Sequence, residues 1–210
     1  MAGSGPLEPH VDAFQRLFLE AVSTRPPPDA GFAAERAVLA RLLPVTAPMA
    51  EAPPPRALPA GDHLDRAIAQ GRAGGEGGLI EAVAGLAPAL HWTYGYPDHP
   101  RFAGLADRIA FCEVVGLRAF RRSEQVRLGL TLMAPGTIYP AHAHPAVETY
   151  LVISGTALWQ AGQGAAALRP PGAIVWHPGE VSHVMTTLSE PLLAVWSWTG
   201  DILTGPRYLG

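Results

Sequence analysis

No lysine occurs among the 210 residues; all fifteen basic side chains are arginine. Schiff-base chemistry, a phosphate-loop lysine and a lysine general base are therefore excluded. Cysteine is nearly as scarce. Cys112 is the only one, so an intrachain disulfide, a zinc finger and an iron–sulfur cluster held within one chain are ruled out. Its apolar neighbours Phe111, Val114 and Val115 mark it as a small buried hydrophobe. Positive charge is short as well. Fifteen basic against eighteen acidic residues leave a net charge of -3, which removes the broad basic surface that nucleic acid or an anionic membrane needs. No apolar run reaches membrane-spanning length, and the N-terminus lacks the basic, apolar, small-residue order of a secretory signal. The expectation is a cytoplasmic protein, monomer or homodimer, whose partner is a small molecule.

What is present divides into two halves. A chain of this length with 48% apolar residues has material for one core with a helical appendage. In residues 12–22 the side chains Phe14, Leu17, Phe18, Ala21 and Val22 recur at helical steps, with Asp12 placed as a cap. Residues 33–43 read as a second helix ended by Pro44, and Pro26, Pro27 and Pro28 separate the two. A proline-rich linker covers 47–60, and a third helical stretch over 64–87 is interrupted by glycines at 74, 75, 77 and 78. Residues 1–100 are thus a helical region expected to pack on a barrel and help cover its mouth.

Residues 101–210 change period. Val126, Leu128, Leu130 and Leu132 alternate as in a strand. Stretches 147–153 and 156–161 flank Ser154-Gly155, a hairpin signal, and further short strands cover 173–176, 184–188 and 192–198. Many short strands without a crossover helix predict a mainly β fold, a jelly-roll β-barrel behind a helical N-terminal region.

The chemistry-bearing residues lie in that barrel. Gly136 is followed at fixed intervals by His142, His144, Glu148 and Gly155, the first signature of the cupin superfamily. The chain's own residue frequencies give roughly two chances in ten thousand of such a match by accident. Residues 142, 144, 148 and 150 share parity, so on extended backbone they emerge from one face, and two imidazoles with a carboxylate there make a divalent-metal site. Gly172, Pro178 and His183 keep the spacing of the second cupin signature, while Glu180 stands where a glycine is usual and Thr187 where an asparagine is usual. His177, beside Pro178, is read as a structural histidine. His10, His63 and His99 read as surface or loop residues, and His91 is left without a place.

Tyr150 and Tyr139 bracket the motif, and a metal beside a phenol lowers its pKa and favours a phenolate base. Trp196 and Trp198 share parity in the last strand, and an aromatic wall near a metal holds a cationic onium group. A helical first half followed by Tyr139, His142, His144, Glu148, Tyr150, His183 and Trp198 at these spacings resembles the cupin-type dimethylsulfoniopropionate (DMSP) lyases of marine bacteria, most like the DddQ-type enzymes.

The resemblance implies one divalent transition metal ion on His144, Glu148, His183 and Tyr150, with His142 a further ligand or close beside it. Zn and Fe suit that donor set, and Mn, Co and Ni are accepted by it. It also implies β-elimination of DMSP to dimethyl sulfide and acrylate. Tyr150 is the first choice for the base and Tyr139 the second, with Trp198 and Trp196 facing the sulfonium. A cupin oxygenase using ferrous iron and a non-catalytic small-molecule-binding cupin stand as the alternatives; oxygen uptake with turnover marks the first.

Overall fold

The computed structural model describes residues 6–96 and 100–209; His99 lies outside them. The helices α1 (Glu8–Thr24), α2 (Phe32–Leu42), α3 (Leu64–Arg72) and α4 (Gly77–Leu86) come first. The strands follow: β1 (Ile109–Gly116), β2 (Arg121–Arg122), β3 (Arg127–Met133), β4 (Ile138–Ala143), β5 (Val147–Ser154) and β6 (Ala157–Ala161). Then come β7 (Ala167–Arg169), β8 (Ile174–His177), β9 (His183–Thr187), β10 (Leu192–Thr199) and β11 (Arg207–Tyr208). Among the described residues no helix is long and apolar enough to cross a membrane.

Asp12 does not cap α1. The helix starts earlier, with Pro9 in its first turn where the missing N–H is no loss. Asp12 and Glu8, one turn apart, both meet the buried Arg121 guanidinium, at 2.6 and 3.0 Å. Val11, Phe14, Phe18, Ala21 and Val22 form the buried stripe of α1, and Leu17 packs at its margin.

The strands pair as β2-β1-β3-β10-β5-β8 in one sheet and β11-β4-β9-β6-β7 in the other. From β3 to β10 the chain changes sheet at every step except the β6–β7 hairpin, which is the jelly-roll barrel of the cupin fold. One local expectation fails here. Ser154-Gly155 is not a hairpin turn, because β5 and β6 lie in opposite sheets and the pair carries the chain across the sandwich. Gly155 has φ +74°, and a Cβ there would come within 2.0 Å of the Pro191 carbonyl oxygen. Close approach to the entry of β10, rather than turn chemistry, requires this glycine.

Two apolar layers follow from the strand period. Leu128, Leu130 and Leu132 of β3 join Leu151, Ile153, Leu193 and Val195 against Phe14, Phe18, Leu39 and Ile80 of the helices. The opposite parity, with Met133, Tyr150, Val152, Val175, Met185, Trp196 and Trp198, fills the barrel. The alternation in β3 therefore marks the face turned away from the barrel interior. The helices cover the outer face of the six-stranded sheet and not the mouth, which is bordered by Thr93 to Tyr96 and by Gly205 and Pro206.

Glu35 of α2 is buried in this helix–sheet layer, with its two carboxylate oxygens 2.9 and 3.0 Å from the Thr199 hydroxyl that donates to them. Burial raises its pKa from the ordinary 4.5, against the opposing effect of Thr199. A carboxyl group raised in the folded state favours folding while protonated, and that contribution is lost as pH rises through the folded pKa. Glu35→Gln is expected to melt above the wild type near pH 8, with the gap closing towards pH 4. Equal melting temperatures at both ends of that range would count against the assignment.

Candidate metal centre

Glu148 is the hub of the barrel interior. Its position on β5 faces Trp198 of β10 on one side and His177 of β8 on the other. Oε2 lies 3.1 Å from His144 Nε2, 3.2 Å from His183 Nε2 and 3.3 Å from His177 Nδ1. Oε1 accepts a 2.7 Å hydrogen bond from the Trp198 indole N–H. His144, Glu148 and His183 are buried and bring one donor atom each within 4.8 Å of the others, a set able to hold a metal ion.

The histidines are anchored in the way metal ligands usually are. Nδ1 of His144 bonds the Ala146 carbonyl at 3.0 Å and Nδ1 of His183 bonds the Val181 carbonyl at 2.9 Å. Each Nε2 is thereby aimed inward. His183 Nε2 is buried and faces only the Glu148 carboxylate, at 3.2 Å. Two borderline nitrogens and a hard carboxylate fit a divalent transition metal.

Among the histidine and carboxylate donors, His142 does not join that group of three. β4 carries an irregularity between Tyr139 and His142, opposite Met185 and His183 of β9. It turns Tyr139 and His142 to the same side and stacks their rings 3.8 Å apart. His142 Nδ1 bonds the Pro140 carbonyl at 2.8 Å, and its ring lies 3.9 Å from that of His183. His142 thus sits beside the centre. Tyr150 is buried next to Glu148, with its ring 5.0 Å from Trp159 and 6.1 Å from His177.

His177, read as a structural histidine, bonds the Glu148 carboxylate and stands outside the donor group. It is fully buried at Glu148 and stacked on His183 at 3.9 Å, and its Nε2 has no partner among the described residues. Tyr96 was missed. It lies in the linker before the barrel, and its hydroxyl hydrogen-bonds that of Tyr139. Of the histidines set aside, His91 bonds the Pro54 carbonyl at 2.6 Å and tethers the proline-rich linker, while His10 packs on Gly85.

Trp198 does not offer a bare ring. The Arg127 guanidinium lies 5.0 Å from its centroid and the His144 ring 4.4 Å away. The same guanidinium lies 5.6 Å from the Trp196 ring.

Burial alone would raise the pKa of Glu148, but the His144 charge and the imidazole contacts reverse it and hold the carboxylate well below its usual range. Burial opposes the charge on His144 too, and Glu148 overcomes it and raises the pKa. His177 is pushed down to about 4 by burial and by His183. Burial, with smaller contributions that include the Glu148 charge, drives the phenols of Tyr96, Tyr139 and Tyr150 well above 10. In the bare protein these are neutral hydrogen-bonding groups. Burial raises the Cys112 thiol as well, so it is inert.

The two departures from the second cupin signature have structural answers. Glu180 keeps the left-handed backbone, φ +66°, that the usual glycine would adopt, and its N–H bonds the His144 carbonyl at 2.8 Å. The displaced Gly179 is packed so tightly that a Cβ would lie 2.3 Å from the Pro145 carbonyl oxygen. Thr187 accepts from the Thr137 N–H at 2.8 Å and donates to the Ala134 carbonyl at 2.6 Å. Gly179→Ala is expected to cost about 1–3 kcal/mol in denaturant unfolding. Glu180→Gly should be neutral or stabilising, because relief of left-handed strain outweighs an exposed ion pair to Arg207. The reverse order of stability would contradict this account of the turn.

The cavity above Glu148 encloses about 180 Å³ and is lined by Tyr94, Tyr96, Tyr139, Tyr150, Trp196 and Trp198 among others. Comparison with known proteins points to one family. The dimethylsulfoniopropionate lyase family model matches residues 33–194. The putative dimethylsulfoniopropionate lyase DddL of Cereibacter sphaeroides is 35% identical over 150 residues, covering 70% of this chain and 62% of that protein. The dimethylsulfoniopropionate lyase DddQ of Ruegeria pomeroyi is 27% identical over 128 residues, covering 61% of this chain and 64% of that protein. The matched stretch thus spans a little under two thirds of either curated relative. A crystal structure from work on the DMSP lyases RdDddP and RnDddQII superposes with TM-score 0.76 at 25% identity, over 98% of this chain and all of that one. The structure of DddQ from Ruegeria pomeroyi gives 0.73 at 25% identity, over 93% and 95%.

Proposed function

The chain belongs to the dimethylsulfoniopropionate lyase family, and from that premise we propose that it is a metal-dependent carbon–sulfur lyase cleaving DMSP to dimethyl sulfide and acrylate. The observation that carries this reading is the buried His144–Glu148–His183 cluster opening onto a small aromatic cavity. His144, Glu148 and His183 would hold the ion, with Zn or Fe favoured by the donor set. When bound, a divalent cation supplies a Lewis acid that draws charge from the substrate carboxylate and lowers the pKa of neighbouring phenols.

The chain's own groups do the rest. Tyr150 Oη, beside Glu148, removes a proton from the carbon next to the substrate carboxylate. The C–H electron pair becomes the new C=C bond, and the C–S bond breaks with its pair leaving on sulfur. Sulfur departs as neutral dimethyl sulfide, so no general acid is needed, and acrylate keeps the carboxylate. Tyr139, hydrogen-bonded to Tyr96 and stacked on His142, orients the substrate and is the second candidate for the base. The buried aromatic lining excludes water from the cavity.

In this reading residues 1–100 support and border the barrel of residues 101–210. The enzyme acts in the cytoplasm as a monomer or homodimer without nucleic-acid or membrane partner, supported by the net charge of -3 and the single buried thiol. The test is proton NMR of purified, metal-supplied protein with DMSP, where acrylate and dimethyl sulfide appear in equal amounts. DMSP left intact by folded, metal-loaded protein would overturn the reading.

A further inference from the structure

Arg127 stands opposite Trp198 in the β3–β10 pairing, and Gly129 stands opposite Trp196. A Cβ on Gly129 would meet the Cys112 carbonyl oxygen at 1.9 Å and the Trp196 ring at 2.8 Å, so the glycine admits both the neighbouring strand and that indole. The guanidinium lies 5.0 and 5.6 Å from the centroids of Trp198 and Trp196. It is fixed there by the Glu113 carboxylate at Nε and Nη2 and by the Ile202 carbonyl, which accepts from Nη1 at 3.2 Å. These contacts engage three of its five N–H groups. The residue borders the active cavity and also a larger one of about 460 Å³ lined by Arg118 and His91.

The far wall has a different character. Tyr94, Tyr96 and Tyr139 come from the linker and from β4, with ring centroids 5.4 Å apart for the first two and 5.9 Å for the second pair. π faces and phenol oxygens attract a cation. Indoles already covered by a guanidinium repel a second one.

We propose that Arg127 is a specificity-determining residue that orients a zwitterionic substrate, drawing its carboxylate end to the Trp196–Trp198 side and leaving its onium end to the wall of Tyr94, Tyr96 and Tyr139. The proposal rests on the lyase reading only for the zwitterion, since the cavity's polarity is a property of the fold. It reverses the expectation that Trp198 itself holds the sulfonium.

Half-substrates separate the two ends. NMR titration of the metal-loaded protein uses 3-(methylthio)propanoate, a carboxylate with neutral sulfur, and trimethylsulfonium, an onium without a carboxylate. Arg127→Gln should weaken the carboxylate probe at least fivefold while trimethylsulfonium binds unchanged or tighter. Tyr94→Leu, at the half-exposed mouth, should do the reverse, and it carries the test if Arg127→Gln does not fold. Loss of trimethylsulfonium in Arg127→Gln, or retention of it in Tyr94→Leu, would overturn the proposal. Binding as expected without release of dimethyl sulfide from DMSP would overturn the lyase reading and leave the orientation standing.

Discussion

Glu148→Ala is expected to lose bound metal and DMSP turnover together, leaving activity at background. Loss of a group that merely orients a ligand typically costs 10–100-fold in metal affinity, and Glu148 is itself a proposed ligand, so the effect should be larger. It also removes the common partner of His144, His177, His183 and Trp198. Leaving buried polar groups unpaired costs about 1–3 kcal/mol each, so the melting temperature falls as well. Glu148→Gln separates the two effects. The amide keeps the size and an oxygen for the Trp198 N–H but loses the charge, so folding should largely survive while metal content falls. Elemental analysis beside circular dichroism reads both. Full metal occupancy in folded Glu148→Gln and Glu148→Ala would remove Glu148 from the site.

Tyr150→Phe is expected to lower turnover by roughly two to four orders of magnitude, the usual contribution of a positioned base. Metal content should change much less, because His144, Glu148 and His183 can hold an ion by themselves. In the bare protein burial and the Glu148 charge push the Tyr150 phenol well above 10. Its ionisation near neutral pH therefore depends on the cation. The ascending limb of the pH–rate profile should lie below the free phenol value of about 10. Ultraviolet difference titration should show a phenolate forming at lower pH with metal than without. A nearly normal Tyr150→Phe beside a dead Tyr139→Phe would move the base to Tyr139. Two active variants would end phenolate catalysis.

The residues legible beforehand were those whose spacing is short and whose partners are local. Glu148 and Tyr150 lie on β5, where period 2 places them on one face, but His142 is on β4 of the opposite sheet and His144 in the turn after it, so these meet Glu148 across the barrel and not on one face of one sheet. The contact of His177 with Glu148 was not legible, because it arises from the β5–β8 register, across 29 residues of chain. Pro140 obscured the face of Tyr139, and the irregularity in β4 decides it. Tyr96 carries no signal in its own segment. Ser154-Gly155 has hairpin composition, yet the jelly roll sends consecutive strands to opposite sheets, which local turn chemistry does not encode. The apolar stripe of α1 announces that it needs burial but not which face of the barrel supplies it. Arg127 reads locally as an ordinary surface charge before an apolar strand, and only pairing with β10 brings it over the indoles.

The central claim is that His144, Glu148 and His183 hold a metal on which cleavage of DMSP depends. Purified protein stripped with a chelator, dialysed, and then titrated with Zn(II) or Fe(II) while headspace dimethyl sulfide is recorded tests it most directly. The stripped protein should be inactive but folded, activity should return and saturate near one ion per chain, about the stoichiometry of a single catalytic site, and Glu148→Ala should not recover. Dimethyl sulfide release from the metal-free protein at the rate of the loaded one would contradict the account.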